Sequence, residues 1–247
     1  KQEAFRYSHS AVVSAQQSSN SSGMDWRGMA NFQIARTKMV ENQLRANKVM
    51  DVSLVDAMRV VPRENYVPVA KRGVAYADED LPIGDGRSLM EPMLFSRLVQ
   101  LADVGPDDFV LDVGAGMGYG AAVLARISSA VIALECDEGL AEAAQTALSK
   151  DGAADTAVVH TGPLTEGWAN EGPYDVIICE GAVADDPATL LGQLAEGGRL
   201  AVMQRDASGI QRGTLFINRN GAISKRTAFD GATPMLPGFE PAPAFTF

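Results

Sequence analysis

The sequence predicts an α/β fold: a Rossmann-like, mostly parallel sheet with an antiparallel C-terminal edge and extra N-terminal helices. Three observations carry this expectation. From Phe109 onward, short apolar runs alternate with helical patterns, the rhythm of a parallel sheet covered on both faces. That rhythm opens on a strand, a glycine turn and a helix at Leu111-Asp-Val-Gly-Ala-Gly-Met-Gly118. Near the C-terminus, Asn220-Gly221 separates two strand-like runs, a strong hairpin signal.

The elements follow in order. Residues 1–23 are rich in Ser, Gln and Asn without apolar period, so they cannot bury enough surface to offset ordering entropy. They read as a disordered or expression-derived tail, with Met24 or Met29 as candidate natural starts. Ile34, Met39, Val40 and Leu44 recur at near-helical spacing. Asp51 is placed to cap a second helix carrying Leu54, Val55 and Met58, which Pro62 ends. Tyr66 to Met90 is irregular, and Pro92 opens a helix running to about Leu101. Expected strands are 109–113, 131–134, 157–159, 174–179 and 199–203, with helices at 119–127, 138–148 and after Pro187. The runs 214–217 and 222–223 form the antiparallel edge.

Composition bounds the function. Hydrophobic residues are 46% of the 247, enough for a sizeable core. No run approaches 18 apolar residues, so no membrane span is expected. The net charge of −10, with no dense basic patch, argues against nucleic acid as a partner. Cys136 and Cys179 lie far apart, and neither His9 nor His160 gives them ligand spacing. No metal site is expected, and two cysteines without a framework fit a reducing cytoplasm.

The glycine turn carries the chemistry. Glycines at 114, 116 and 118 let the backbone turn sharply and approach a ligand, and the following helix presents free N–H groups. Glu135 ends the next strand about twenty residues on, where a carboxylate accepts both ribose hydroxyls of an adenosine group. The bland alternative is a glycine turn without ligand. Strand, turn, helix, second strand and terminal acid agree on a nucleoside-type cofactor. Glycine spacing alone does not separate a dinucleotide from S-adenosylmethionine, because Ala121 stands where a third fingerprint glycine is replaceable. Asp112 does separate them. An acid beside the turn disfavours a pyrophosphate and suits the positive sulfonium and ammonium of S-adenosylmethionine. The expected division is a single domain over 24–247, with a helical and loop cap at 24–101, a cofactor-binding core at 102–204 and a C-terminal extension at 205–247.

The chain also resembles the protein-L-isoaspartate O-methyltransferases, from about Arg36 to Val202. Met39-Val-Glu-Asn-Gln-Leu44, Val61-Pro-Arg-Glu-Asn-Tyr-Val-Pro68, Ala75-Tyr-Ala-Asp78 and Leu81-Pro-Ile-Gly84 carry the resemblance. Leu111 to Tyr119, Pro173-Tyr-Asp-Val-Ile177 and Leu194 to Leu200 continue it. It implies a class I methyltransferase fold, S-adenosylmethionine as cofactor, and an isoaspartyl carboxylate in a protein or peptide as acceptor. It assigns cofactor contacts to Asp112, Gly114, Gly116, Gly118 and Glu135. Ala115 inside the turn and Cys136 beside Glu135 join that expected set, Cys136 with a small core residue as its alternative reading. The family's Gly-Asp-Gly after the third strand is here Gly162-Pro163-Leu164. Proline offers neither an acceptor side chain nor an N–H, so Pro163 and Leu164 are expected to contact the cofactor through backbone. The family's Gly-x-Thr-Ile-Ser-x-Pro loop, whose last serine is catalytic, reads here Gly86-Arg-Ser-Leu-Met-Glu-Pro92. Met90 takes the serine position, which leaves Ser88 as the candidate catalytic hydroxyl.

A carboxylate acceptor is ionised at neutral pH and needs no general base. Alignment and exclusion of water do most of the work, and effective molarity supplies about 7–11 kcal/mol. Arg87 is readable either as a partner for a substrate carboxylate or as a solvated surface residue. Two other functions stay open at this level: methyl transfer to a different, small acceptor, and cofactor binding without isoaspartyl activity.

Overall fold

The structure is a computed structural model and describes residues 26–84 and 86–241. The expected tail and Met24 lie outside the described residues. Helix α1 (Trp26–Met39) widens into a π-type turn, Val40–Leu44, and stops where Lys48 takes a left-handed φ of 64°. Asp51 caps α2 (Val52–Val60) as its sequence position predicts, its Oδ1 accepting from the Leu54 N–H at 2.7 Å. The helix ends at Val61, extended before Pro62. A 3₁₀ turn, Arg63–Asn65, follows Pro62; the segment read as irregular contains a second, Val69–Val74, and a hairpin that the sequence reading missed, β1 (Leu81–Gly84) against β2 (Arg87–Leu89). Its strands are too short for a period to register. Helix α3 (Pro92–Ala102) begins on Pro92.

Seven strands form the main sheet: β3 (Phe109–Val113), β4 (Ala130–Glu135), β5 (Ala157–Thr161), β6 (Tyr174–Val183), β7 (Leu194–Arg205), β8 (Gln211–Arg219) and β9 (Ala222–Asp230). Their spatial order is β5-β4-β3-β6-β7-β8-β9. Pairings from β5 to β7 are parallel, whereas β7–β8 and β8–β9 are antiparallel. Asn220 and Gly221 turn the last hairpin at φ 52° and 76°, the conformation that Asn-Gly favours. Helices α4 (Tyr119–Leu124), α5 (Glu138–Lys150) and α6 (Ala188–Leu191) connect the parallel strands. Every strand of this sheet except β3 exceeds its expected bounds, most of all β6, which runs to Val183, β7, which begins at Leu194, and β9, which runs to Asp230. Helix α4 is shorter than expected, ending at Leu124.

Strand order reverses beside β3, so the crevice at its carboxyl end is where an open α/β sheet takes ligands. Strand alternation divides the core into two layers. Val110, Val131, Ala133, Val176 and Ile178 face the layer that contains residues of α2, α3 and α4. Leu111, Val113, Ile132, Leu134, Ile177 and Cys179 face the other, which holds Leu164, Leu190 and Leu236. The segment around Pro234 to Leu236 straps β6: the Ala182 N–H donates to Pro234 O, and the Leu236 N–H donates to Ala182 O, each at 2.9 Å.

Asp51→Ala removes the cap of α2 and should cost about 0.5–2 kcal/mol in urea unfolding. An unchanged midpoint would show that tertiary contacts alone hold this helix end.

Candidate active site

Three carboxylates stand in the carboxyl-terminal halves of three adjacent strands: Glu135 on β4, Asp112 on β3 and Glu180 on β6. Register sets Asp112 beside Ala133 on one side and Ile178 on the other. By strand parity all three face the layer under the N-terminal helices. All three are buried.

Glu135 is the hub. Its Oε2 accepts from the Gly116 N–H at 2.7 Å, and its Oε1 from the N–H groups of Cys136 (2.8 Å) and Asp137 (3.2 Å). The Arg87 guanidinium completes the shell, with Nη2 3.1 Å and Nε 3.3 Å from Oε2 and Nε 3.2 Å from Oε1. Nη2 also donates to Gly114 O at 2.7 Å. Burial alone would raise the Glu135 pKa, but the Arg87 charge and the hydrogen bonds outweigh it and hold the carboxyl below its ordinary range. Arg87 is 4% exposed, so it is not a solvated surface residue. In this structure its partner is an internal carboxylate.

The turn itself is tight. Gly114 and Gly116 have φ of 84° and 55°, a region side chains rarely adopt. A Cβ on Gly114 would lie 2.7 Å from both Arg87 Nη2 and Leu236 Cδ2, and one on Gly116 would lie 2.7 Å from Ile83 Cδ1. Hairpin and strap therefore lean on the turn. A bulky residue at Gly116 would disturb that packing as well as a ligand. Gly118, just before α4, sits against Ala144 of α5. The Gly114 and Ala115 N–H groups donate to Leu134 O at 2.8 and 3.1 Å, tying the turn to β4.

Asp112 and Glu180 face each other within hydrogen-bond reach. Among the described residues, both Asp112 oxygens and Glu180 Oε1 lack a donor. Two buried carboxyls so placed are compatible only by sharing a proton. Burial pushes Asp112 up to about 7 and Glu180 well above the carboxylate range. The sequence reading missed Glu180, although an ionisable residue inside the apolar run Tyr174–Val183 was a readable signal.

The remaining expected residues divide. Cys136 is half-buried and its thiol donates to Glu135 Oε1 at 3.3 Å; burial and that carboxylate push its pKa up to about 11. Pro163 leads into the 3₁₀ turn of buried Leu164, and the preceding Gly162 N–H donates to Glu135 O at 3.0 Å, which brings this backbone to the end of β4. Ser88 is not brought to the turn. It alternates with buried Arg87 and Leu89 on β2, so strand geometry points it to the opposite face. Met90 is buried in the core, and its carbonyl accepts from Arg63 Nη2 at 2.7 Å. Arg63 also donates to Ala75 O at 2.7 Å and lies over the Tyr119 ring, its centre 4.7 Å from the centroid. Glu64 takes Arg36 at 3.1 Å and the Tyr76 hydroxyl. The Pro-Arg-Glu and Ala-Tyr motifs thus fasten the N-terminal cap onto the site.

These residues fit a nucleoside with a cationic end. Glu135 stands where a ribose would be held, the glycine turn admits close approach, and the donor-less oxygens of Asp112 and Glu180 suit a positive group and repel phosphate. Fold and site together define a Rossmann-like, class I methyltransferase type of protein. Comparison with known proteins specifies it further. The sequence profile of the protein-L-isoaspartate(D-aspartate) O-methyltransferases matches residues 35–229, and the chain belongs to that family. It is 42% identical over 168 residues to the protein-L-isoaspartate O-methyltransferase of Methylorubrum extorquens, covering 68% of this chain and 73% of that one. It is 37% identical over 174 residues to that of Koribacter versatilis, covering 70% and 78%. A solved protein-L-isoaspartate O-methyltransferase superposes with TM-score 0.71 at 24% identity, covering 82% of this chain and 66% of the other, just under two thirds. The crystal structure of a putative protein-L-isoaspartate O-methyltransferase from Plasmodium falciparum in complex with S-adenosyl-L-homocysteine superposes with TM-score 0.70 at 23% identity, covering 81% of this chain and 97% of the other. At these identities the two structures support the fold alone.

Two predictions follow from the carboxylates. Glu135→Ala leaves Arg87 buried without a counter-charge, so it should destabilise the chain by about 3–5 kcal/mol; equal stability in urea would show that Arg87 finds another partner. The Asp112–Glu180 pair binds more protons folded than unfolded above about pH 4. It therefore costs stability as pH rises from there through the folded values, about 7 for Asp112. Glu135, with its lowered pKa, acts oppositely and loses its contribution only as pH falls below about 4. Asp112→Asn should gain on the wild type steadily between pH 5 and 8 in parallel unfolding titrations. A pH-independent difference would mean that no proton is held there.

Proposed function

We propose that the chain transfers the methyl group of S-adenosylmethionine to the free carboxylate of isoaspartyl residues in proteins or peptides. The observation that carries this reading is the family match across residues 35–229, which spans the glycine turn, Glu135 and the N-terminal cap. When bound, the cofactor supplies an electrophilic methyl on a positive sulfur. Glu135 would hold its ribose, and the 162–164 backbone would flank its base. Asp112 and Glu180 would face its cationic end, where a deprotonated pair gains the Coulomb energy that it lacks alone. An isoaspartyl carboxylate arrives ionised, so no side chain has to take a proton from it. The chain's own contribution is binding, alignment and exclusion of water by the hairpin and cap. Both cysteines are free thiols, which supports a reducing, cytoplasmic setting. Among the described residues, no helix is long and apolar enough to cross a membrane.

Incubation with methyl-labelled S-adenosylmethionine and an isoaspartyl peptide should give base-labile label on the peptide and none on its aspartyl isomer. Cofactor binding without peptide label would redirect the activity to another acceptor. Because Ser88 lies on the face of β2 opposite Arg87, Ser88→Ala should change kcat by no more than a few-fold. A loss of about 10²–10³, the size of one transition-state hydrogen bond, would restore the catalytic role that the sequence suggested.

A further inference from the structure

A carboxylate offers about four lone-pair sites. The N–H groups of Gly116, Cys136 and Asp137 and the rotatable Cys136 thiol donate to Glu135, and Arg87 covers the rest of the carboxylate through Nε and Nη2. The same Nη2 reaches Gly114 O at 2.7 Å and lies where the open side of Gly114 would face a ligand. Glu135 therefore has no lone pair free for a pair of ribose hydroxyls while Arg87 is in place. The planar guanidinium, donating from two adjacent nitrogens, presents to the carboxylate the same two-donor edge as a vicinal diol. Two clefts of the described surface, of about 370 and 400 Å³, are lined by none of the residues of the glycine turn.

We propose that Arg87 is a built-in occupant of the ribose subsite, which the cofactor displaces on binding and which returns to Glu135 when the spent nucleoside leaves. The proposal rests on the cofactor assigned above and not on the identity of the acceptor. Its physical reason is the burial of Glu135. A fully buried carboxylate without a partner is costly, so a chain that holds one ready for a ribose needs an internal cation in the ligand-free state. Arg87 meets that need at the expense of affinity, because ligand binding has to break a buried ion pair first. Arg87 is thus a positioning residue. It keeps Glu135 ionised and oriented and sets how readily the nucleoside exchanges.

Arg87→Met keeps most of the side-chain volume and removes the donors. By isothermal calorimetry, S-adenosylhomocysteine should bind this variant about tenfold or more tightly than the wild type. Ligand-free, the variant should melt about 5 °C or more below the wild type, because Glu135 loses its counter-charge. Saturated with S-adenosylhomocysteine, the two proteins should melt within a degree or two of each other. Unchanged or weaker binding overturns the proposal, as does an equal loss of melting temperature with and without ligand, which would mark a purely structural arginine. If Arg87→Met does not fold, Arg87→Lys, with one donor group for two, should still bind more tightly than wild type; failure to do so is equally decisive against it. Absence of binding by every variant would instead remove the cofactor reading, and the proposal with it. A chain that binds S-adenosylhomocysteine as expected but labels no isoaspartyl peptide would sink only the acceptor.

Discussion

The shell of hydrogen bonds around Glu135 is the interaction on which the site depends. One carboxylate joins four pieces of chain: the glycine turn through Gly116, the entry to α5 through Cys136 and Asp137, the end of β4 on which it stands, and the hairpin through Arg87. Its donors are three backbone N–H groups, the Cys136 thiol and a guanidinium, so the carboxylate stays ionised although it is 0% exposed. The turn keeps its left-handed glycines against this anchor, and the hairpin keeps its place over the turn. Removing the carboxylate would therefore loosen elements that are remote from one another in sequence.

The neighbouring pair, Asp112 and Glu180, shows the opposite solution to the same problem. Among the described residues no donor reaches either Asp112 oxygen or Glu180 Oε1, and burial pushes both carboxyls toward holding a proton. The site thus holds one carboxylate kept charged by donors and two carboxyls kept short of full charge by their absence. The difference comes from parity and register. The register of adjacent parallel strands brings like groups together, while the hairpin supplies its arginine to only one of them. A ligand with a ribose diol and a cationic end would satisfy both arrangements at once.

The motifs that most strongly mark the family do structural work away from the glycine turn. Arg63 ties Met90 and Ala75 together, and Glu64 gathers Arg36 and Tyr76. A buried arginine and a buried glutamate on one short 3₁₀ turn fasten α1, the hairpin approach and α4 into a single cap. With Met90 committed to the core and its carbonyl to Arg63, the loop presents no hydroxyl toward the turn. Water exclusion and alignment fall to the cap as a whole.

Much of this was legible in the sequence because it is local. Alternating apolar runs gave the parallel strands, Asp51 and Pro92 gave helix starts, and Asn220-Gly221 gave the last hairpin. Each reflects a backbone preference or a period expressed within a few residues. The glycine turn and Glu135 were readable for the same reason, since strand, turn and helix fix their separation. Only tertiary structure decided what those residues touch. Glu180 joined the site because β6 returns beside β3, a pairing between segments more than sixty positions apart, with Asp112 set beside Ile178. Arg87 turned inward and Ser88 outward because β2 is a strand, a fact hidden by its three-residue length. Sequence fixes which groups are available and on which face of an element they lie. Partners across the fold, and with them charge state and access to a ligand, are settled by packing, because a buried charge takes its state from whichever neighbours the fold brings to it.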